Sequence, residues 1–214
     1  MTTWQRARSE DQKAQRVDEI LTAAGGVFEE VSYEQVTMQM IAERAKFTRS
    51  NLYRYFKTRE EIFLTLFEKD SEQWFGDLGK AFSQPKAMKV ETFVVKWTDI
   101  LLKQKRLNQL MPLLAISLEA NASEELYRDF KVTMNEKLAD VVPLIQKVLP
   151  NLSDEQVYEF LTVHVALVSG GLPMSHYSEM QLKVLESENL LHSQVDFEAF
   201  YTRAISVYLS GLIK

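Results

Sequence analysis

The sequence has no cysteine, which excludes disulfides, thiolate zinc sites, iron–sulfur ligation and cysteine nucleophiles together. Seven glycines and five prolines in 214 residues are about half the usual usage of roughly 7% and 5%. No glycine falls between Lys80 and Ser169, and no proline precedes Pro85. Strands joined by tight reversals need those residues, so their scarcity predicts long helices and an all-α chain. The first twenty residues hold no unbroken apolar run, and nowhere do 18 apolar residues follow one another cleanly. The expectation is a cytoplasmic chain with neither secretory signal nor membrane span. Positive charge is short as well: 25 Lys and Arg against 30 Asp and Glu leave a net −5, a balance that points away from nucleic acid. The three histidines, His164, His176 and His192, lack metal-ligand spacing, and there is no glycine-rich phosphate loop or G-x-S-x-G elbow. The sequence therefore predicts no enzyme, no cofactor and no metal site.

What is present is a sequence of 46% hydrophobic and 26% charged residues, enough for one large or two small folded domains. Val17, Ile20, Leu21, Ala24, Val27, Phe28 and Val31 fall on one face of a helix. Ser9 with Gln12 reads as a capping box in front of it. Thr37 is suited to cap a short second helix with Met38, Ile41 and Ala42 inside, and a third runs from Thr48 to Tyr55. Thr58 and Glu61 form another box opening a long helix through Ile62, Phe63, Leu66, Phe67, Trp74 and Phe75. Further helices are expected near 87–104, 107–120, 122–149, 153–174, 178–190 and 196–213, with Asn121/Glu124 and Ser153/Gln156 as starts. Pro112 and Pro143 fall inside two of them and predict kinks or breaks.

The charge is unevenly spread. Residues 44–59 contain Arg44, Lys46, Arg49, Arg54, Lys57 and Arg59 and no acid, so this window carries +6 and the remainder −11. A basic run is usually a solvated face. Here it sits on two short helices separated by Ala45-Lys46-Phe47, the layout of a helix–turn–helix whose second helix enters a major groove. Thr48, Arg49, Ser50 and Asn51 open that helix; Arg grips guanine and Asn grips adenine in bidentate fashion. Leu52 and Phe56, four apart, should face inward. Tyr53 and Tyr55 read either as core aromatics or as phosphate-facing hydroxyls.

Residues 20–63 resemble the N-terminal domain of the TetR family of transcriptional repressors. The resemblance rests on Ile20-Leu21, Ala23-Ala24, Phe28, Tyr33, Thr37, Ile41-Ala42 and Ala45. The run Leu52-Tyr53-Arg54-Tyr55-Phe56-Lys57 and the helix start Glu60-Glu61-Ile62 complete it. It covers about a fifth of the chain. Two positions depart from the family pattern, which commonly has Gly at Ser32 and Gly-Val at Lys46-Phe47; Lys46 adds a candidate phosphate contact in return. The resemblance implies phosphate-side roles for Thr37, Tyr53, Tyr55, Lys57 and Arg59, and base-side roles for Gln39, Arg49, Ser50 and Asn51. Arg54 lies among them. Arg6, Arg8 and Lys13 read equally as a loose DNA-contacting arm or a solvated tail.

The resemblance further implies a DNA-binding domain at 1–59 and a helical effector-binding and dimerisation domain at 60–214. Partners would be a double-stranded DNA operator, a small-molecule effector and a second copy of the chain. The wide apolar faces near 153–174 and 196–213 suit a four-helix dimer interface. Ser169-Gly170-Gly171 either allows close approach or ends its helix. Trp97, Leu101, Met111, Tyr127, Phe130, Met134 and His164 are candidate effector contacts, with core packing as the plainer reading of each. The rival reading is a helical small-molecule-binding or scaffold protein whose basic head binds an acidic protein partner.

Overall fold

A computed structural model of the chain describes residues 3–84, 86–191 and 194–213, with side chains described from residue 11 onward. Among the described residues there is no strand. The helices are α1 (Thr3–Phe28), α2 (Met38–Arg44), α3 (Arg49–Leu52), α4 (Arg59–Phe82), α5 (Val90–Lys103) and α6 (Lys105–Leu110). After a short irregular stretch come α7 (Glu124–Val148), α8 (Asp154–Ser175), α9 (Glu179–Ser187) and α10 (Phe197–Leu212). The chain divides into two compact units: residues up to Lys69 with Leu114–Phe130, and Asp70–Leu113 with the residues from Lys131 onward.

The first unit is built on the stripe expected of α1: Ile20, Leu21, Ala24 and Val27 are buried, as are Ile41 and Ala42 of α2, which packs on α1, and Leu52 of α3, which packs on α2. Phe63 of α4 closes this core, its ring 5.5 Å from Phe28 and 5.2 Å from Tyr33, both edge-on. In the second unit α10 packs on α8 and α5. Its centre is aromatic: Trp97 is fully buried, with Phe93 at 5.5 Å and Phe160 at 4.9 Å between ring centres. Each such side chain contributes about 1.5–3 kcal/mol on burial.

Several expected boundaries shift. Ser9 lies inside α1 rather than at its cap, because the helix begins at Thr3. The expected helix 107–120 is broken: α6 stops at Leu110, and the chain continues as a 3-10 turn (Met111–Leu113), a π turn (Leu114–Leu118) and another 3-10 turn (Glu119–Asn121). Pro112 has no N–H to donate and its ring crowds the preceding turn, which ends the regular α pattern there. Asn121 is not the start of α7. Its side-chain amide donates back to the Ser117 carbonyl at 2.8 Å, and α7 begins at Glu124 with Tyr127 N–H on the Ser123 carbonyl at 2.9 Å. Pro143 lies within α7 without ending it. Ser169-Gly170-Gly171 does not end α8, which continues to Ser175. Ser153 and Gln156 do form their capping box, with bonds of 3.2 and 2.9 Å.

Candidate nucleic-acid interface

Two threonine hydroxyls set the helix–turn–helix. Thr37 Oγ1 accepts from Met40 N–H at 3.2 Å and starts α2; Thr48 Oγ1 accepts from Asn51 N–H at 3.2 Å and starts α3. Between them α2 ends in a Schellman motif. Phe47 N–H reaches the Ala42 carbonyl at 2.9 Å and Lys46 N–H the Glu43 carbonyl at 3.1 Å. Lys46 therefore takes the left-handed conformation, φ 58°. This is the position where the family pattern has glycine, so the turn keeps its shape with a lysine in it. Phe47 plugs the turn, its ring edge-on to Tyr55 at 6.1 Å.

The second helix is shorter than the expected Thr48–Tyr55. Only Arg49–Leu52 is regular; Arg54 N–H and Tyr55 N–H bond three residues back, to Asn51 and Leu52, which tightens 53–55 into turns. Leu52 and Phe56 are buried and fix the element from below. Arg49, Ser50, Asn51, Arg54 and Lys57 are exposed, as are Thr37, Gln39, Lys46 and Thr48. Gln39 Nε2 donates to Glu43 at 2.6 Å. Tyr53 is exposed and its hydroxyl accepts from Arg49 at 3.3 Å; Tyr55 is half-buried.

Of the six cations in the basic window, two are held within the fold. Arg44 is ion-paired with Glu30. Arg59, expected at the phosphate side, instead lies over the Tyr33 ring at 4.5 Å, donates at 2.9 Å to the carbonyls of Tyr33 and Val36, and pairs with Glu60 at 2.8 Å. Its guanidinium ties the loop before α2 to the start of α4. Lys46, Arg49, Arg54 and Lys57 are in none of the ion pairs found among the described residues, although the Lys57 charge acts on the nearby Glu61 carboxylate; all four are exposed to an external anion.

Sequence reading missed Arg16 of α1. Its guanidinium lies 5.5 Å from the Phe47 ring centre while pairing with Glu19 at 2.7 Å. It borders, with Lys46, Asn51, Arg54 and Tyr55, a hollow of about 180 Å³. The signal was a cation beside the apolar stripe of α1, but only folding brings it to the turn. Lys13 is exposed and lines a neighbouring hollow with Arg16 and Arg54. The side chains of Arg6 and Arg8 lie outside the described residues.

Behind the turn, Glu61 is buried. Burial works to raise its pKa, but hydrogen bonds from Lys57 and Ser123 outweigh it and the net direction is down. Thr58 Oγ1 accepts from Glu61 N–H at 3.1 Å, one half of the expected box. The Glu61 carboxylate reaches one residue further back, to Lys57 N–H at 2.6 Å.

The candidate effector contacts are divided. Trp97 and His164 meet, Trp97 Nε1–H lying 3.3 Å from His164 Nδ1. Leu101 and Met111 are buried and Met134 is half-buried, all in the same unit. Tyr127 and Phe130 belong to the first unit, where Phe130 packs against Phe67 at 6.0 Å. On the helices expected to pair, Tyr158 and Val165 of α8 and Phe200 and Val207 of α10 are exposed. α8 is long and apolar enough to cross a membrane by length and composition alone; in the fold it carries the buried Val157, Phe160, His164 and Val168. His176 is exposed and His192 lies outside the described residues.

Comparison with known proteins agrees with this geometry. Residues 20–66 match the model of the bacterial regulatory proteins of the tetR family, and residues 68–214 match the tetracyclin repressor-like C-terminal domain. The uncharacterized HTH-type transcriptional regulator YfiR of Bacillus subtilis (strain 168) is 33% identical over 73 residues, 34% of this chain. That match spans 36%, about a third, of the relative's own length. The fatty acid degradation regulator FadR from Bacillus halodurans has a similar fold, TM-score 0.53 at 18% identity, over 92% of this chain and 96% of that one. A TetR transcriptional regulator from Rhodococcus sp. RHA1 gives 0.51 at 16% identity, over 94% and 97%. With both of its parts matched, the chain belongs to the TetR family of bacterial transcriptional regulators.

Proposed function

We propose that the protein is a cytoplasmic, homodimeric, ligand-responsive repressor that binds a near-palindromic operator. Its DNA-binding part is residues 1–59, and residues 60–214 carry the effector site and the dimer interface. The observation that supports this most is the set of four exposed cations, Lys46, Arg49, Arg54 and Lys57, around a short helix that presents Ser50 and Asn51. Phosphate attraction supplies affinity there, and side chains opening the second helix of such a motif meet base edges. Arg49, Ser50 and Asn51, with Gln39, are the base-side residues; Thr37, Lys46, Thr48, Tyr53, Arg54, Tyr55 and Lys57 are the phosphate-side ones. Arg59 acts indirectly, by holding the loop before α2.

The apolar residues exposed on α8 and α10 support self-association through those helices. An effector bound in the second unit favours the conformation in which the two reading heads are wrongly spaced. It shifts the equilibrium only by its differential affinity for the two states.

The test is affinity for a selected operator. Arg49→Ala and Asn51→Ala should each cost about 1–3 kcal/mol and relax preference at one base pair per half-site. Unchanged sequence preference in both variants contradicts the assignment. Weak retention of all DNA alike favours a basic head for an acidic protein partner instead.

A further inference from the structure

Among the described residues, four buried side-chain atoms have no hydrogen-bond partner, and two of them, Trp74 Nε1 and His164 Nε2, belong to rings stacked on each other. The ring centres are 5.3 Å apart and the planes 5° from parallel. The other ring nitrogen of His164 fixes what these orphans are. Tyr201 Oη lies 2.5 Å from His164 Nδ1 and 3.0 Å from Trp97 Nε1. An indole N–H only donates, so the Tyr201 oxygen accepts from Trp97 and directs its own hydrogen to Nδ1. The reverse tautomer would leave two hydrogens aimed at Tyr201 and the hydroxyl hydrogen without an acceptor. With Nδ1 accepting, the proton of the neutral imidazole sits on Nε2. Both orphans are therefore N–H donors, each buried and each lacking an acceptor, an arrangement folded proteins rarely leave uncompensated.

The surroundings define what can compensate them. The other buried polar side chains of the same unit are Ser71, Thr98, Gln104 and Asn108, with no Lys or Arg among the described ones. An ionised ligand would find no counter-charge there, and burial keeps His164 itself neutral, its pKa lowered to about 3. Trp97 stands edge-on to both rings, 5.6 Å from Trp74 and 5.4 Å from His164, and Phe160 packs on Trp97, so the neighbourhood of the donors is aromatic.

We propose that the effector is an uncharged, largely apolar molecule bearing a carbonyl-type oxygen, and that His164 Nε2–H and Trp74 Nε1–H receive that oxygen. A carbonyl has two lone pairs, enough to accept from either donor or from both. The proposal rests on reading the second unit as the effector domain.

The test uses three probes of one shape on the full-length ¹⁵N-labelled protein: acetophenone, ethylbenzene, which lacks the oxygen, and benzoate, which is ionised. Acetophenone should move the Trp74 indole N–H and His164 Nε2–H resonances downfield in a saturable way; the other two should not. His164→Phe, which keeps a ring and removes the donor, should weaken acetophenone at least tenfold and leave ethylbenzene unchanged. Trp74→Phe serves the same purpose if the first variant does not fold. No saturable shift with acetophenone, an equal response to ethylbenzene, or a long-lived water on both donors that acetophenone fails to displace overturns the proposal. Operator affinity measured at the same saturation separates the two readings. Occupied donors with unchanged DNA binding uphold the donor site and sink the effector role.

Discussion

The Glu61 carboxylate accepts the backbone N–H of Ser123 at 3.1 Å, joining the start of α4 to the start of α7 across 62 positions of sequence. Its other oxygen holds Lys57 N–H at 2.6 Å, directly behind the basic turn. Thr58 adds a second tie, its hydroxyl donating to the Asn121 carbonyl at 3.3 Å, and Tyr33 a third, its hydroxyl 3.3 Å from that of Ser117. The first compact unit thus holds more than the helix–turn–helix and its flanking helices: a piece of mid-chain is bonded into it.

Removing that carboxylate exposes its worth. Glu61→Ala removes the charged acceptor of two part-buried backbone N–H groups and should destabilise the protein by about 1–3 kcal/mol. Because the folded-state pKa is lowered, the stabilisation is present above the ordinary carboxylate range and is lost as pH falls through the lowered value. Denaturant titration of both proteins across acid pH checks this; equal stabilities at neutral pH contradict it.

His164 gives a second pH dependence of the same sign from the opposite chemistry. Burial lowers its pKa from the usual 6.5 to about 3. Between those values the unfolded chain binds a proton that the folded chain refuses, so stability falls as pH drops through the window, by at most about 1.4 kcal/mol per pH unit. His164→Phe should flatten that part of the slope. Parallel slopes for the two proteins contradict it.

Lys46 carries a backbone cost with its charge. A non-glycine residue at φ 58° is strained by about 1–2 kcal/mol. Lys46→Gly should therefore raise the unfolding midpoint, by about 0.5–1 kcal/mol of stability after the unfolded chain's extra freedom is counted. The same substitution should flatten the dependence of operator affinity on salt by about 0.9 in log–log slope, one phosphate's share. A variant less stable than the parent, or one with the same salt slope, refutes the corresponding half.

Two adjacent glycines of α8 should respond differently. A Cβ on Gly171 would stand 2.8 Å from Cε1 of Phe200, whereas one on Gly170 meets nothing within 4 Å. Gly170→Ala should stabilise the isolated subunit by about 0.8–1 kcal/mol through helix propensity. Gly171→Ala should lose that gain and destabilise by about 1 kcal/mol or more, since Phe200 must move. Thermal unfolding of the pair decides; equal effects would mean α10 yields without cost.

Local chemistry was legible where it is local. Thr37, Thr48 and Ser153 cap as their sequence neighbourhoods require, and Leu52 and Phe56 face inward as their spacing demands. The basic window was visible too, but not the fate of its members. Arg44 is held by Glu30, 14 positions away, and Arg59 by carbonyls 23 and 26 positions away, partners that only the fold supplies. Ser9 and Asn121 misled because a capping residue type says nothing when a helix starts earlier or when the side chain turns back on its own segment. His164 read as an effector contact or, more plainly, as a core residue; it is buried and hydrogen-bonded. Its partners Trp97 and Tyr201 lie 67 and 37 positions off, so the orphaned Nε2 beside Trp74 was beyond any pattern in the sequence.

Selection of bound DNA from a random pool by the purified full-length protein tests the central claim most directly. The account predicts one recurring near-palindrome, with half-sites about one helical turn apart or a multiple of it. Arg49→Ala should lose the preference at a fixed position in each half. A pool that stays random, or a single asymmetric site indifferent to Arg49 and Asn51, would contradict it.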